Sequence, residues 1–95
     1  MVRSLALAGL ALALIANAAA AAPESFRASD IQPGEFLSIR ERPDADAPAL
    51  GRIPWNGRRI RGFGCTTDTP SGRTWCRVKY GEALGWARRR YLQPE

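Results

Sequence analysis

Two cysteines, no histidine and a single lysine limit the chemistry open to this chain. Cys65 and Cys76 stand eleven positions apart in the stretch GCTTDTPSGRTWC, and three uses compete for them: a redox pair, half of a metal site, or a disulfide. A thioredoxin-like site needs Cys-x-x-Cys at the start of a helix, where the dipole lowers the thiol pKa. Here the spacing is too long and no helical pattern follows. A structural zinc site needs four ligands, usually Cys and His. Two cysteines without histidine cannot close one unless two carboxylates or a second chain contribute.

Other catalytic constellations are missing from the sequence. The commonest general base is absent with histidine. Ser25, Ser38 and Ser71 lie near no lysine or acid pattern that would activate them. Asp44 and Asp46 pair on a Pro-Ala loop, where they serve solubility. Gly62-Phe63-Gly64 lacks the following helix that a phosphate loop requires. The expectation is a non-enzymatic protein with no cofactor and no metal.

The front of the chain, MVRSLALAGLALALIANAAAAAPES, decides between the cysteine readings. A positive start at Arg3, an apolar run over residues 5–16 and a small-residue segment are the three parts of a secretory signal peptide. The run is shorter than the roughly 20 residues of a membrane span. Ala19-Ala20-Ala21 places cleavage after residue 21, and a cut after Ala18 also fits. The expected product is exported to the periplasm or the extracellular space, with no transmembrane span once the leader is removed. In such a compartment two cysteines are most simply oxidised to a disulfide.

Removing the 21 leader residues leaves 74 of the 95, enough for one small domain with a marginal core. Arg3 leaves with the leader, so the formal charge falls from +5 to +4. Thirteen of the fourteen basic residues are arginine, Lys79 being the exception. In an exported protein this balance serves solubility or attracts an anionic partner such as cell wall, lipid head groups or an acidic protein.

Residues 22–34 mix Pro, Ser, Glu, Arg and Asp and read as a loose, flexible tether. From residue 35 onward short apolar alternations separated by turn signals give an all-β pattern. Leu37 and Ile39 alternate with Ser38 and Arg40, and PDADAP interrupts the chain. Leu50 and Ile53 frame a second strand, closed by a turn around Asn56-Gly57. The longest strands are residues 58–65 and 75–80. Tyr80-Gly81-Glu82-Ala83 turns the chain into residues 84–87, and a single helical turn is expected over Arg89–Tyr91.

LSIRERPDADAPALGRIPWNGRRI and TWCRVKYGEALGWARRRYL resemble, in order, the two halves of a bacterial SH3-like (SH3b) domain. The first half carries an aliphatic-Arg strand, a proline loop, an aliphatic-Gly strand and a Pro-x-Gly turn. The second carries a Trp-x-x-Val strand, a Gly-Trp strand and a closing Tyr-Leu. The resemblance covers residues 35–93 and implies a small five-stranded SH3-like barrel. It also implies that Trp75 and Trp86 hold positions that often pack the barrel, with Trp86 assigned to the core, and that the domain targets cell wall or peptides. Arg42 stands where glycine is common, and Pro54-Trp55-Asn56-Gly57 is one residue longer than the usual turn, so the groove those loops border is altered.

Thr69-Pro70-Ser71-Gly72 suits a type I turn, with proline second and glycine fourth. A hairpin symmetric about Pro70-Ser71 sets Cys65 opposite Cys76 and Phe63 opposite Val78. Opposed Cα atoms then lie about 4.5–5.5 Å apart, within reach of a disulfide. That register turns Phe63 inward and Ile60 outward, unless a bulge at Gly62 or Gly64 corrects the phase. By the same alternation Trp75, Arg77 and Lys79 leave the core face. With Arg40 and with Trp55, which a turn does not require, they are the candidate ligand-binding residues. The expected partner is peptidoglycan or an envelope protein or peptide, bound by a monomer; a protein-interaction or purely structural role stands as the alternative. Nucleic acid is disfavoured by export. The Arg88-Arg89-Arg90 run is either a solvated end or a specific feature.

Overall fold

A computed structural model describes residues 24–95. The leader and cleavage site expected over residues 1–21 lie outside the described residues. Seven strands form one antiparallel sheet: β1 (Glu24–Ala28), β2 (Phe36–Arg40), β3 (Ala49–Pro54), β4 (Ile60–Thr66), β5 (Trp75–Tyr80), β6 (Ala83–Arg88) and β7 (Leu92–Pro94). Their order across the sheet is β3-β2-β6-β5-β4-β1-β7. The all-β expectation holds, but the sheet is open and has two more strands than the expected five. Arg89–Tyr91 forms the expected single turn, of 3-10 type. Among the described residues no helix is long and apolar enough to cross a membrane.

The tether expected over residues 22–34 is corrected by β1. Glu24–Phe26 pairs with Ile60–Gly62 of β4, and Phe26–Ala28 pairs with Leu92–Pro94 of β7. Phe26 and Ala28 are buried in the core. A β-carbon on Gly62 would run into the Phe26 ring, so glycine opens the slot the ring fills. Arg89 covers that ring, its guanidinium 5.2 Å from the centroid, and donates a hydrogen bond to the Leu92 carbonyl. The middle of the arginine run is therefore a packing element.

Leu37, Ile39, Ile53, Ile60, Cys76, Val78, Ala87 and Leu92 complete the apolar cluster. The inward alternation of Leu37 and Ile39 is as read from sequence. The phase of β4 is the one the expected bulge gives: Ile60 is buried and Phe63 is 45% exposed. Gly62 lies opposite Val78 and Cys65 opposite Cys76, with a bulge between them. Gly64, at φ +117°, supplies the backbone geometry that a residue with a side chain resists. Past the bulge the cysteines meet as expected and form a disulfide, Cα atoms 3.9 Å apart.

The turns follow their sequence chemistry. Gly72 N–H donates to the Thr69 carbonyl at 3.0 Å, closing the expected Thr69–Gly72 turn. Gly57 N–H likewise donates to Pro54 at 2.8 Å. Gly81, at φ +58°, opens a two-residue connection between the paired Tyr80 and Ala83, the position a type II′ turn reserves for glycine.

Candidate functional site

The outer face of the sheet is built by alternation. Where Leu37, Ile39, Val78 and Ala87 turn inward, their strand neighbours must turn outward. Trp86 of β6 lies opposite Arg40 of β2 on one side and Arg77 of β5 on the other, so an indole sits between two guanidinium-bearing positions. In the next row Leu84 lies opposite Lys79, and Lys79 opposite Arg61. Directly opposed side chains on one face have β-carbons about 4.5–5.5 Å apart, so these groups are neighbours. β2, β4, β5 and β6 contain no aspartate or glutamate. Phe63, with Arg61 over its ring at 5.7 Å, extends the face. The arrangement offers flat apolar surface between positive charges, suited to an anion that also stacks.

Trp86 was expected in the core and is instead half-buried on this face. The reason is the close crossing of β2 over β6. A β-carbon on Gly85 would strike the Arg40 carbonyl oxygen and come within 2.9 Å of Ile39 Cγ2. Only Gly85 and Ala87 fit the inward slots of β6, so the large Trp86 must take the outer one. That pattern of Gly and Ala on either side of Trp86 was readable in the sequence and was the signal missed.

Trp75 is corrected in the opposite sense. It leaves the core face, as alternation requires, and stays outside the main apolar cluster, yet only 3% of it is exposed. It lies opposite Arg88 of β6 and shares a hollow with the loop residues Ala45, Pro70 and Arg73. Its indole Nε1–H is buried with no hydrogen-bond partner, a condition that costs about 1–3 kcal/mol. Beside it opens a cleft of about 290 Å³ bordered by Phe36, Ser38, Arg40, Arg88 and Tyr91, and by Asp30, Ile31, Gln32 and Glu35 of the connection before β2. Arg40 is held in place by an Nη1 hydrogen bond to the Ala47 carbonyl at 2.9 Å. The Arg88 guanidinium lies 5.8 Å from the Tyr91 ring centroid.

Trp55, 41% exposed, stands apart from this cleft. It borders a separate depression with Arg27, Asn56 and Arg58, and Asp30 and Ile31 line both hollows. Of the five residues singled out from sequence, then, Arg40 and Trp75 share the cleft, and Arg77 and Lys79 lie on the adjoining face. Trp55 belongs to another place. Phe36 and Tyr91 were missed, and Arg88 was noted only as part of an arginine run, because the three come together only through the pairing of β2 with β6 and the turn that follows it.

Away from the cleft, Glu95 is the titratable group with a clear perturbation. Its carboxylate accepts hydrogen bonds from Arg58 Nε at 2.7 Å, from the Arg59 backbone N–H at 3.1 Å and from the Ser25 hydroxyl. These, the Arg58 bond first, hold its pKa below the usual carboxylate value. Among the described residues no three Cys, Asp or Glu side chains gather as metal ligands. No family model matches the chain, and no curated protein or solved structure is significantly similar to it.

Proposed function

We propose that this protein is an exported, non-enzymatic binding module of the cell envelope that holds a carboxylate-bearing ligand, peptidoglycan or an exported peptide, on its outer sheet face. The observation that carries the reading is the row Arg40–Trp86–Arg77 on strands free of acidic residues. Arginine pairs bidentately with carboxylates, and the indole between the two offers a stacking surface for a sugar or peptide plane. Lys79, beside Leu84, adds charge to the same face. Export rests on the leader over residues 1–21, and the disulfide is compatible with it. In this reading β2 to β6 are the five strands of an SH3-like barrel, and β1 and β7 extend it beyond β4.

The test is retention on purified sacculi. Wild-type protein is expected in the bound fraction, and an Arg77→Ala/Trp86→Ala variant in the unbound one. Equal recovery of both proteins in the unbound fraction overturns the reading.

A protein partner is the second reading, favoured by β3. This edge strand exposes Leu50 near one end and pairs its other end, Pro54, with the exposed Phe36 of β2, and an extended peptide can add to such an edge. Salt separates contact types: charge-driven binding weakens steeply with ionic strength, while strand addition holds.

A further inference from the structure

One corner of the outer sheet face carries free charge and exposed apolar surface together. Ile60, Gly62, Val78 and Gly85 are buried, so Arg61, Lys79 and Leu84 beside them turn outward, and all three are exposed. The register sets Lys79 between Leu84 on one side and Arg61 on the other. Phe63 belongs to the same corner, because the Arg61 guanidinium lies over its ring. Leu84 and Phe63 each leave more than two-fifths of their surface in water. Around them, β2 to β6 carry six cations, Arg40, Arg52, Arg61, Arg77, Lys79 and Arg88, and no carboxylate. The nine acidic residues lie on β1, in loops and at the end of the chain. The two ion pairs among the described residues join Arg42 to Glu41 and Arg58 to Glu95, and use neither Arg61 nor Lys79. Glu82 stands in the turn beyond Lys79 and Leu84. Glu95 lies beyond Ser25, the β1 partner of Arg61, and its carboxylate is taken by Arg58.

We propose that this corner docks the protein on an anionic lipid bilayer, with Arg61 and Lys79 meeting the phosphate headgroups and Leu84 and Phe63 entering the acyl boundary. A bilayer is the partner that satisfies both halves of the patch. Basic side chains near an anionic membrane each add to binding, and exposed leucine and phenylalanine gain where an apolar phase lies just beneath the headgroups. A soluble polyanion would pair with the same cations and leave both apolar side chains in water. The docking goes beyond the carboxylate-binding reading and stands without it, since it does not use the Arg40–Trp86–Arg77 row.

The test is flotation with vesicles of phosphatidylcholine alone and of phosphatidylcholine with about one-third phosphatidylglycerol. Wild type is expected to float with the anionic vesicles and to stay behind with the neutral ones. Arg61→Gln/Lys79→Gln should weaken anionic-vesicle binding about twentyfold, at about fivefold for each charge. Phe63→Ser/Leu84→Ser keeps every charge and should weaken it about tenfold. Arg42→Gln/Arg90→Gln removes two charges outside β2 to β6 and should bind within about twofold of wild type. Thermal unfolding checks that each variant folds, and Lys79→Gln and Leu84→Ser alone replace any double variant that does not. No flotation of wild type, or an equal loss in the Arg42/Arg90 variant, overturns the proposal. So does a loss confined to the Arg61/Lys79 variant, which would mark a soluble polyanion as the ligand. Vesicle binding without retention on sacculi upholds the proposal and overturns the carboxylate reading alone; retention without vesicle binding does the reverse.

Discussion

Phe26 of β1 lies with its ring over the backbone of Gly62 on β4, filling the space that a side chain at position 62 would need. Gly62→Ala should therefore destabilise the domain by about 1–3 kcal/mol, the usual cost of overpacking a filled core. Thermal unfolding checks it. The Gly62→Ala/Phe26→Leu double variant should recover part of the loss, since the two residues compete for one volume.

Trp75 and Trp86 differ in what surrounds them, and truncation should tell them apart. Trp75→Ala empties a site that is 97% buried and should cost about 3–5 kcal/mol. Trp86→Ala, on the half-buried outer face, should cost about 1 kcal/mol. Denaturant unfolding of the two variants gives the comparison. Equal losses would contradict their placement.

Removing the Cys65–Cys76 bond by the double change Cys65→Ser/Cys76→Ser should cost about 3 kcal/mol, through the freedom returned to the unfolded loop. For a domain this small that is a large part of its total stability. Intact mass after alkylation, with and without reductant, shows whether the bond forms. The midpoint of urea unfolding shows what it contributes.

Glu95 gives stability a pH dependence of known sign. Its folded pKa is lowered from 4.5, chiefly by the hydrogen bond from Arg58 and then by the Arg59 backbone N–H. The contribution is thus fully present above about pH 4.5 and is lost as pH falls through the lower folded value. Glu95→Gln cannot ionise, so the wild type should melt higher than this variant near neutral pH. The gap should narrow as the pH falls below 4.5. A gap that is constant across this range would show that the charge at Glu95 does not contribute.

Much of the framework was legible because it is local. The alternation of Leu37 and Ile39, the Thr69–Gly72 turn and the meeting of the cysteines across it depend on residues a few positions apart. What the sequence hid depends on distant partners. Phe26 looked like part of a tether because Gly62, Ile60 and Arg89, which surround it, lie far along the chain. The phase of β4 turned on which glycine hosted the bulge, and the choice of Gly64 put Ile60 inside and Phe63 outside. Alternation gave the direction of Trp75 correctly but could not show that it is almost fully buried there. The cleft itself, assembled from Asp30, Phe36, Arg40, Trp75 and Arg88, required the register of β2 on β6.

The pairing of β1 with β7 has a mechanical meaning. Phe26 lies opposite Pro94, and Glu95 N–H donates to the Ser25 carbonyl at 2.9 Å, so positions 24 and 95 leave the domain side by side. A pull that separates them loads the β1–β7 ladder one hydrogen bond at a time, in peeling rather than shear. The Glu95 carboxylate, fastened to Arg58, Arg59 and Ser25, is the first latch such a force meets. Under tension between its two ends the domain would open from this seam, while the hairpin held by Cys65 and Cys76 stayed closed.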